Sequence, residues 1–320
     1  MRIYLGVDGG GSKTRFALIE QSGRLLARHE EGPAYYPQIG LEGLRTLLAR
    51  GIEATLKLGG VAGSKLTFAF IGLPAYGEDR ALLATLDAVA TPTLAPERHR
   101  CDNDMVCGWA GALAGEDGIS VVAGTGSIAY GEYAGRRARA GGWGELFGDE
   151  GSAYWIAREG LRLFSRMSDG RTPRGPLHAA MRRHFGLETD LDLCAAIYGK
   201  SIRQRSEFAQ LSQVIAAAAA SGDVQARGLF DLAARELAEI IDATRQRLQV
   251  PQDTRLAVSY SGGMFKLQDL LLKPLSALLE GGARYRLVPP RLPPDIGAAL
   301  HAARLSGVPL EARAIAALIP

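Results

Sequence analysis

Near its start the chain reads Gly6-Val7-Asp8-Gly9-Gly10-Gly11-Ser12-Lys13-Thr14, joining one run of β-formers, Arg2 to Val7, to another, Arg15 to Ile19. A P-loop needs Gly, four residues and then Gly-Lys-Ser/Thr, with a helix opening straight after the glycines. Here Ser12 intrudes before Lys13 and a strand follows, so neither the spacing nor the context fits. A dinucleotide fingerprint fails as well, because Thr14 stands where a third glycine or alanine is required. Gln21-Ser22-Gly23 then signals a second turn and Leu25 to Arg28 can pair back. The pattern is strand, glycine turn, strand, hairpin.

That pattern returns. Val122-Ala123-Gly124-Thr125-Gly126-Ser127 matches Val7-Asp8-Gly9-Gly10-Gly11-Ser12 at four of six positions. It too lies between strand-like segments, Ile119 to Ala123 and Ile128 to Tyr133, which points to a duplicated unit. Between the copies, Leu41 to Leu58 carries leucines at helical spacing and Leu66 to Ile71 reads as a buried strand. Glu78 to Val89 and Met105 to Leu113 read as helices, the second entered through Asp102-Asn103-Asp104. Strands alternating with helices predict an α/β fold. Beyond the second copy the chain is largely helical, over Ser152 to Met167, Val214 to Ala220 and Val224 to Leu248. A strand at Leu256 to Tyr260, a helix from about Lys266 to Leu279 and a last helix at Ile296 to Leu305 complete it. A chain of 320 residues is expected to form two domains. The boundary is placed near residue 116, giving an N-terminal lobe over 1-116 and a larger C-terminal lobe over 117-320 with helical insertions. The last helix, about 295-306, is expected to return to the first lobe.

Charge and cysteine usage exclude several classes. With 37 basic and 34 acidic residues the net charge is only +3, and the densest basic group, Arg136, Arg137 and Arg139, reads as a solvated hairpin strand, so no nucleic-acid partner is expected. Cys101, Cys107 and Cys194 show no CxxC spacing, which argues against zinc and a disulfide framework. No apolar run has membrane-span length and no signal-peptide core opens the chain, so a cytoplasmic protein without a membrane partner is expected.

Three glycine turns follow strands: Gly9-Gly10-Gly11, Gly124-Thr125-Gly126 and Gly262-Gly263. Such turns present successive N–H groups to an anion, and hydroxyl residues Ser12, Thr14, Thr125 and Ser127 lie alongside. Together they point to phosphate. Asp8, entering the first turn, is either a turn former or the carboxylate that holds a cation against phosphate. Lys13 either meets phosphate or faces solvent. Asp104 is either an N-cap or a carboxylate that takes the proton of an attacking hydroxyl, kept ionised by the helix dipole. Gly141-Gly142-Trp143-Gly144 and Gly148-Asp149-Glu150-Gly151-Ser152 offer either a flat ring and acceptors for a sugar, or a buried Trp and an acidic N-cap.

VDGGGSKT, DND, GTGS, GGWGELFGDEGSAYWIA and SGGMF, in this order, resemble the N-acetylglucosamine kinase and BadF/BadG-type ATPase family of the actin, hexokinase and heat-shock chaperone superfamily. The resemblance spans nearly the whole chain, and GGWG with GDEGSAYWIA is its most specific part. It implies two ribonuclease-H-like lobes with a cleft for ATP and a hydroxyl substrate, commonly in a homodimer. On matching positions it implies phosphate loops at Gly9, Gly10, Gly11, Ser12, Lys13 and Thr14 and at Gly124, Thr125, Gly126 and Ser127, with Asp8 near Mg²⁺. Gly262, Gly263 and Met264 match the adenosine motif. Asp104 matches the base, and Tyr35, Asn103, Asp104, Thr125, Gly142, Trp143 and Asp149 fall at substrate-binding positions.

Two positions depart from the animal enzymes, which carry an Asn-His pair where this chain has Tyr35-Tyr36, and Asn where it has Ile128. Both lie where the sugar is chosen. The leading expectation is transfer of the ATP γ-phosphoryl group to the 6-hydroxyl of N-acetylglucosamine, with glucosamine or a related amino sugar as the alternative. An ATP-driven electron activator of the same family would need cluster-binding cysteines for which no motif is evident. A sugar-sensing repressor would need a helix-turn-helix before the first strand, and an actin-like filament protein would leave GGWG and GDEGS unexplained.

Overall fold

Among the residues described by the computed structural model, 2–201 and 205–319, the strands form two five-stranded sheets of the same connectivity. In the first, β1 (Ile3–Gly9), β2 (Thr14–Glu20) and β3 (Leu25–Glu31) make an antiparallel meander, and β4 (Phe68–Leu73) and β5 (His99–Asn103) add in parallel beside β1. The order is β3-β2-β1-β4-β5. In the second, β6 (Gly118–Ala123), β7 (Ser127–Tyr133) and β8 (Arg136–Gly141) form the meander, and β9 (Leu256–Ser261) and β10 (Tyr285–Val288) add in parallel beside β6, in the order β10-β9-β6-β7-β8. The glycine echo in the sequence is thus one corner of a duplicated topology.

The helices distinguish the copies. In the first, α1 (Tyr36–Leu58) crosses from β3 to β4, α2 (Leu83–Asp87) precedes β5, and α3 (Met105–Ala112) follows it. In the second, a helical insertion separates β8 from β9: α4 (Ala153–Ser168), α5 (Pro176–Phe185), α6 (Asp192–Ala196), α7 (Arg205–Ala220) and α8 (Val224–Leu248). Helix α9 (Lys273–Glu280) joins β9 to β10, and α10 (Pro294–Leu305) and α11 (Ala312–Leu318) end the chain. The chain divides into two units, Met1–Asp117 with Pro289–Pro320, and Gly118–Val288. The whole tail from Pro289 therefore groups with the first unit, whereas the sequence reading left all of it except the last helix with the second.

Local chemistry explains where the elements differ from expectation. Asp79 accepts from the N–H of Ala81, capping a 3-10 turn, so the expected helix from Glu78 shrinks to α2. Strand β5 was hidden by its polar sequence, His-Arg-Cys-Asp-Asn; His99 is buried there because its ring nitrogens reach the carbonyls of Ala95 and Asp87. The helix expected from Lys266 is broken into a 3-10 turn, a π-helical turn and α9, which opens at Lys273 and carries in its first turn Pro274, a residue with no N–H to continue the ladder.

Alternation along β1 decides the packing of the first unit. Ile3, Leu5 and Val7 enter one core with Leu44, Leu48 and Ile52 of α1. The opposite face carries Tyr4, Gly6 and Asp8, and α10 lies so close to it that a β-carbon on Gly6 would come within 2.2 Å of the Ala299 nitrogen. Helices α10 and α3 also meet backbone to backbone: a β-carbon on Gly297 would lie 2.1 Å from the Gly111 nitrogen, and one on Gly111 would lie 2.7 Å from the Pro293 carbonyl. Gly108, three residues earlier on α3, faces open space. We therefore expect Gly111→Ala to lower stability by about 1–3 kcal/mol through overpacking, and Gly108→Ala to raise it by roughly 0.5–1 kcal/mol through helix propensity. Thermal melts of the two variants test this; equal shifts would show that the close approach is not the constraint.

Candidate active site

The parallel strands β1, β4 and β5 all end at one edge of the first sheet, where ligands bind in open α/β folds. Asp8 pairs with Gly72, and Gly72 with Asp102. A β-carbon on Gly72 would meet Cys107 Sγ at 2.3 Å and Asp104 Cα at 3.0 Å, so this glycine keeps open the ground between Asp8 and the start of α3. The Asp104 N–H donates to the Leu73 carbonyl, fixing the turn from β5 into α3. Asp104 makes no side-chain capping bond. Asn103 does that work: its Oδ1 accepts from the Met105 N–H at 3.1 Å and its Nδ2 donates to the Tyr76 carbonyl.

Asp8 and Asp104 form no ion pair among the described residues. Burial, then the charges of Asp104 and Asp295, push the Asp8 carboxyl up to about 7, against the pull of Arg15. Burial pushes Asp104 up to about 6 despite the backbone N–H groups of Met105 and Asp104 itself. Desolvation thus outweighs the helix end that was expected to keep Asp104 fully ionised and a weak base. Asp295, at the start of α10, has its own partner, two hydrogen bonds of 2.7 Å from Arg28.

The glycine turn between β1 and β2 is braced from below. Gly10 donates to the Lys13 carbonyl and accepts from the Ala34 N–H, and the Thr14 hydroxyl donates to the Gly32 carbonyl at 2.8 Å. The same bonds fasten the loop that carries Tyr35 to the start of α1. Ser12 is exposed at the tip. Lys13 lies 3.2 Å from Glu30 on β3, and that ion pair takes up its ammonium group.

The second unit repeats the brace. The Ser127 hydroxyl donates to the Glu150 carbonyl at 2.6 Å, and Gly124 donates to the Gly126 carbonyl. By position and bonding the counterpart of Ser127 is Thr14, the first residue of β2, and not Ser12 as the aligned motifs imply. The N–H groups of Ala153 and Tyr154, opening α4, bond the carbonyls of Gly124 and Thr125. The loop's acceptors are thereby drawn toward the helix, which leaves its other side suited to an anion. A β-carbon on Gly262, where φ is +109°, would strike the Ala123 carbonyl at 2.3 Å; the turn of Gly262 and Gly263, with Met264 buried behind it, lies directly against the Gly124 loop.

Asp149 is buried with φ +58°, a conformation that costs energy in a residue with a side chain. Its carboxylate takes the N–H groups of Ser127 and Gly144 and pairs with Arg205; burial is the largest influence on it and raises its pKa. The helix cap is neither Asp149 nor Glu150 but Ser152, whose Oγ accepts from the Trp155 N–H. Trp143 is not buried either: it is 64% exposed, with the Arg139 guanidinium 5.8 Å from its ring centre. Gly142 bonds the Ser127 carbonyl and packs on Ile128.

A family model matches this arrangement over residues 5–302, that of the BadF/BadG/BcrA/BcrD ATPase family. The chain belongs to that family. It is 27% identical over 310 residues to the N-acetyl-D-glucosamine kinase of Dictyostelium discoideum, covering 94% of this chain and 97% of that kinase. It is 29% identical over 266 residues to the N-acetylmuramic acid/N-acetylglucosamine kinase of Clostridium acetobutylicum, covering 82% of this chain and 86% of that one. A solved structure from Chromobacterium violaceum, described as a candidate N-acetylglucosamine kinase, superposes with a TM-score of 0.71 at 28% identity, covering 94% of this chain and 98% of that one.

Within this family member the predicted residues fall into two sets. The first unit gathers Asp8, Gly9, Gly10, Gly11, Asn103 and Asp104 at one strand edge, with Tyr35 tied in through its loop. The second gathers Gly124, Thr125, Gly126, Ser127, Gly142, Trp143, Asp149, Gly262, Gly263 and Met264. Arg205, on which Asp149 leans, carried no signal in the sequence: it opens α7, remote along the chain from every motif. No group of three or more metal-binding side chains occurs among the described residues. Magnesium needs none, since it takes one or two carboxylates and fills its shell with water and substrate phosphate. The elevated Asp8, flanked by two further carboxylates, is the excess of negative charge that such a cation relieves. No helix among the described residues is long and apolar enough to cross a membrane.

The carboxyl of Asp8 rises from the ordinary 3.8 to about 7 on folding. The folded state therefore holds more protons than the unfolded state across that window, and stability falls as pH rises through it. Asp8→Asn is expected to raise the melting temperature of the ligand-free protein at about pH 8, where the folded carboxylate is ionised, with the gain shrinking steadily toward about pH 4. A gain that does not vary with pH would place its origin elsewhere than in this charge.

Proposed function

We propose that the protein is an ATP-dependent amino-sugar kinase that transfers the γ-phosphoryl group to the 6-hydroxyl of N-acetylglucosamine, with glucosamine or a related amino sugar as the alternative acceptor. The observation that carries this reading is the pair of carboxylates, Asp8 and Asp104, which form no ion pair among the described residues, at the strand edge beside a braced glycine turn. The names of the curated relatives support the amino sugar.

In this reading the backbone N–H groups of Gly9 to Gly11 and of Gly124 to Gly126 hold the ATP phosphates, with Ser12 and Thr125 at their margins. Gly262, Gly263 and Met264 receive the adenosine. Thr14 and Ser127 act beneath the loops by keeping them in shape, and Lys13 is held by Glu30 and contributes only to the local field. Asp8 would hold Mg²⁺, whose charge would offset that of the phosphates. Trp143, Gly142 and Asp149 line the sugar, and Tyr35 stands at its edge. Asn103 acts by setting the turn that presents Asp104.

Asp104 accepts the proton of the sugar 6-hydroxyl as that oxygen bonds to the γ-phosphorus and the bond to the departing ADP oxygen breaks. Phosphoryl transfer of this kind depends mostly on positioning and charge neutralisation. A carboxyl raised to about 6 is a stronger base than an ordinary aspartate, yet is ionised near neutral pH. We further take the working enzyme to be a cytoplasmic homodimer, as the family resemblance implies.

ADP release measured with N-acetylglucosamine, glucosamine, N-acetylmannosamine, N-acetylmuramic acid and glucose tests the activity. Stimulation by none of them would sink the kinase reading. Asp104→Asn is expected to lower kcat by about 10²–10⁴ while calorimetry still detects sugar binding, because a base is lost and the pocket is not. Because Asp104 must be ionised, kcat/KM of the parent should fall as pH drops below about 6. Turnover of the variant within tenfold of the parent would remove Asp104 from the role of base.

A further inference from the structure

Asp149 is held more firmly than hydrogen bonding requires. The N–H groups of Ser127 and Gly144 already bond its carboxylate, yet Arg205 is brought in from the start of α7 to pair with it. The same guanidinium lies 3.1 Å from Glu145, so one cation is shared by two carboxylates. The packing is built for it. A β-carbon on Gly126 would fall 2.6 Å from Arg205 Nη2 and 2.7 Å from Asp149 Oδ2, so the centre of the GTGS loop is stripped of side chain where the pair passes. The Arg205 side chain is still 42% exposed, and Arg139, over the Trp143 ring, brings a second positive charge to the same neighbourhood. Without Arg205, Asp149 and Glu145 would present an acidic lip beside Trp143 and the Gly124–Ser127 loop. Such a lip would draw in a cationic sugar more strongly than an uncharged one.

We propose that Arg205 is a specificity-determining residue: by pairing with both Asp149 and Glu145 and, together with Arg139, offsetting their two negative charges beside the Gly124–Ser127 loop, it selects an uncharged N-acyl amino sugar over one that carries a free ammonium group. The proposal rests on the amino-sugar kinase reading and assigns the charge of its substrate. Arg205 acts on the sugar through the field at Asp149, so a lysine should serve in its place and a neutral side chain should not.

The test compares the parent, Arg205→Gln and Arg205→Lys on N-acetylglucosamine, glucosamine and glucose. The readout is the ratio of kcat/KM for glucosamine to that for N-acetylglucosamine. This ratio is taken within each variant, so loss of folded enzyme cancels, and glucose reports any general loss of activity. At about pH 6.5, where an amine is protonated, Arg205→Gln should raise the ratio about tenfold or more, and Arg205→Lys should leave it within about twofold of the parent. The rise should fade toward about pH 9, where the amine is neutral. A ratio in Arg205→Gln that matches the parent, or a rise that persists at high pH, overturns the proposal and leaves the kinase reading standing. A parent that phosphorylates none of the three sugars and no other amino sugar overturns the kinase reading itself.

Discussion

The constraint on which the first unit depends is the alternation of β1. Because side chains on a strand point to opposite faces in turn, committing Leu5 and Val7 to the core under α1 commits Gly6 and Asp8 to the face covered by α10 and α3. A carboxylate is thereby carried below the surface at the end of a central strand, where water is scarce and two helices begin. Its neighbour across the parallel ladder is Gly72, which has no side chain to offer it. Among the described residues no cation forms an ion pair with it: Arg15, its partner across the antiparallel ladder, and Lys13 are both drawn to Glu30, and Arg28 is engaged by Asp295. The raised pKa of Asp8 expresses that deficit. A stability argument alone would replace this residue; the proposed role of holding a cation against phosphate would give it a reason to stand there.

The duplicated topology shows which parts of the turn are structural. In both units a hydroxyl on the first residue of the strand after the turn, Thr14 or Ser127, donates to the carbonyl of a loop further along, Gly32 or Glu150. In both, carbonyls of the glycine turn are occupied by neighbouring N–H groups, from Ala34 in one case and from Ala153 and Tyr154 in the other. Drawing acceptors away from one side of a loop is as important to anion binding as presenting donors, because a carbonyl dipole repels a phosphate as strongly as an N–H attracts it. Gly-rich sequences permit the turn; these braces decide which way it faces.

Much of this was legible in the sequence, for a reason that also marks where legibility ends. Glycine turns, β-branched runs and leucine spacing report local geometry, and they located both meanders, α1, α3, α4, α8 and α10. Strand β5 was missed because it is polar, its buried His99 being satisfied by backbone carbonyls and not by apolar packing. Asp104 was legible as a candidate but not as a raised base, since desolvation is a property of the packed fold and the helix dipole was the only influence visible along the chain. The match of Ser12 to Ser127 was misleading by register: one more residue in the first turn moves the equivalent hydroxyl to Thr14. Arg205 had no local signal, as its partner Asp149 lies in another element and the glycine that admits both, Gly126, reads equally well as part of a phosphate loop.

The two units treat their desolvated carboxylates in opposite ways, and the contrast separates the parts of the proposed reaction. Asp8 and Asp104 are left to repel each other, which is tolerable only if the charge they await is brought by the substrate complex. Asp149 is neutralised within the protein, by Arg205 and by two backbone N–H groups, before any ligand arrives. An uncompensated acid binds whatever is positive. A compensated acid can accept hydrogen bonds from hydroxyl groups without attracting cations. Discrimination among sugars needs the second kind, because selectivity by shape is worth little where an unscreened charge dominates the field. The same residue type therefore answers two chemical demands in the two units, and its partner decides which.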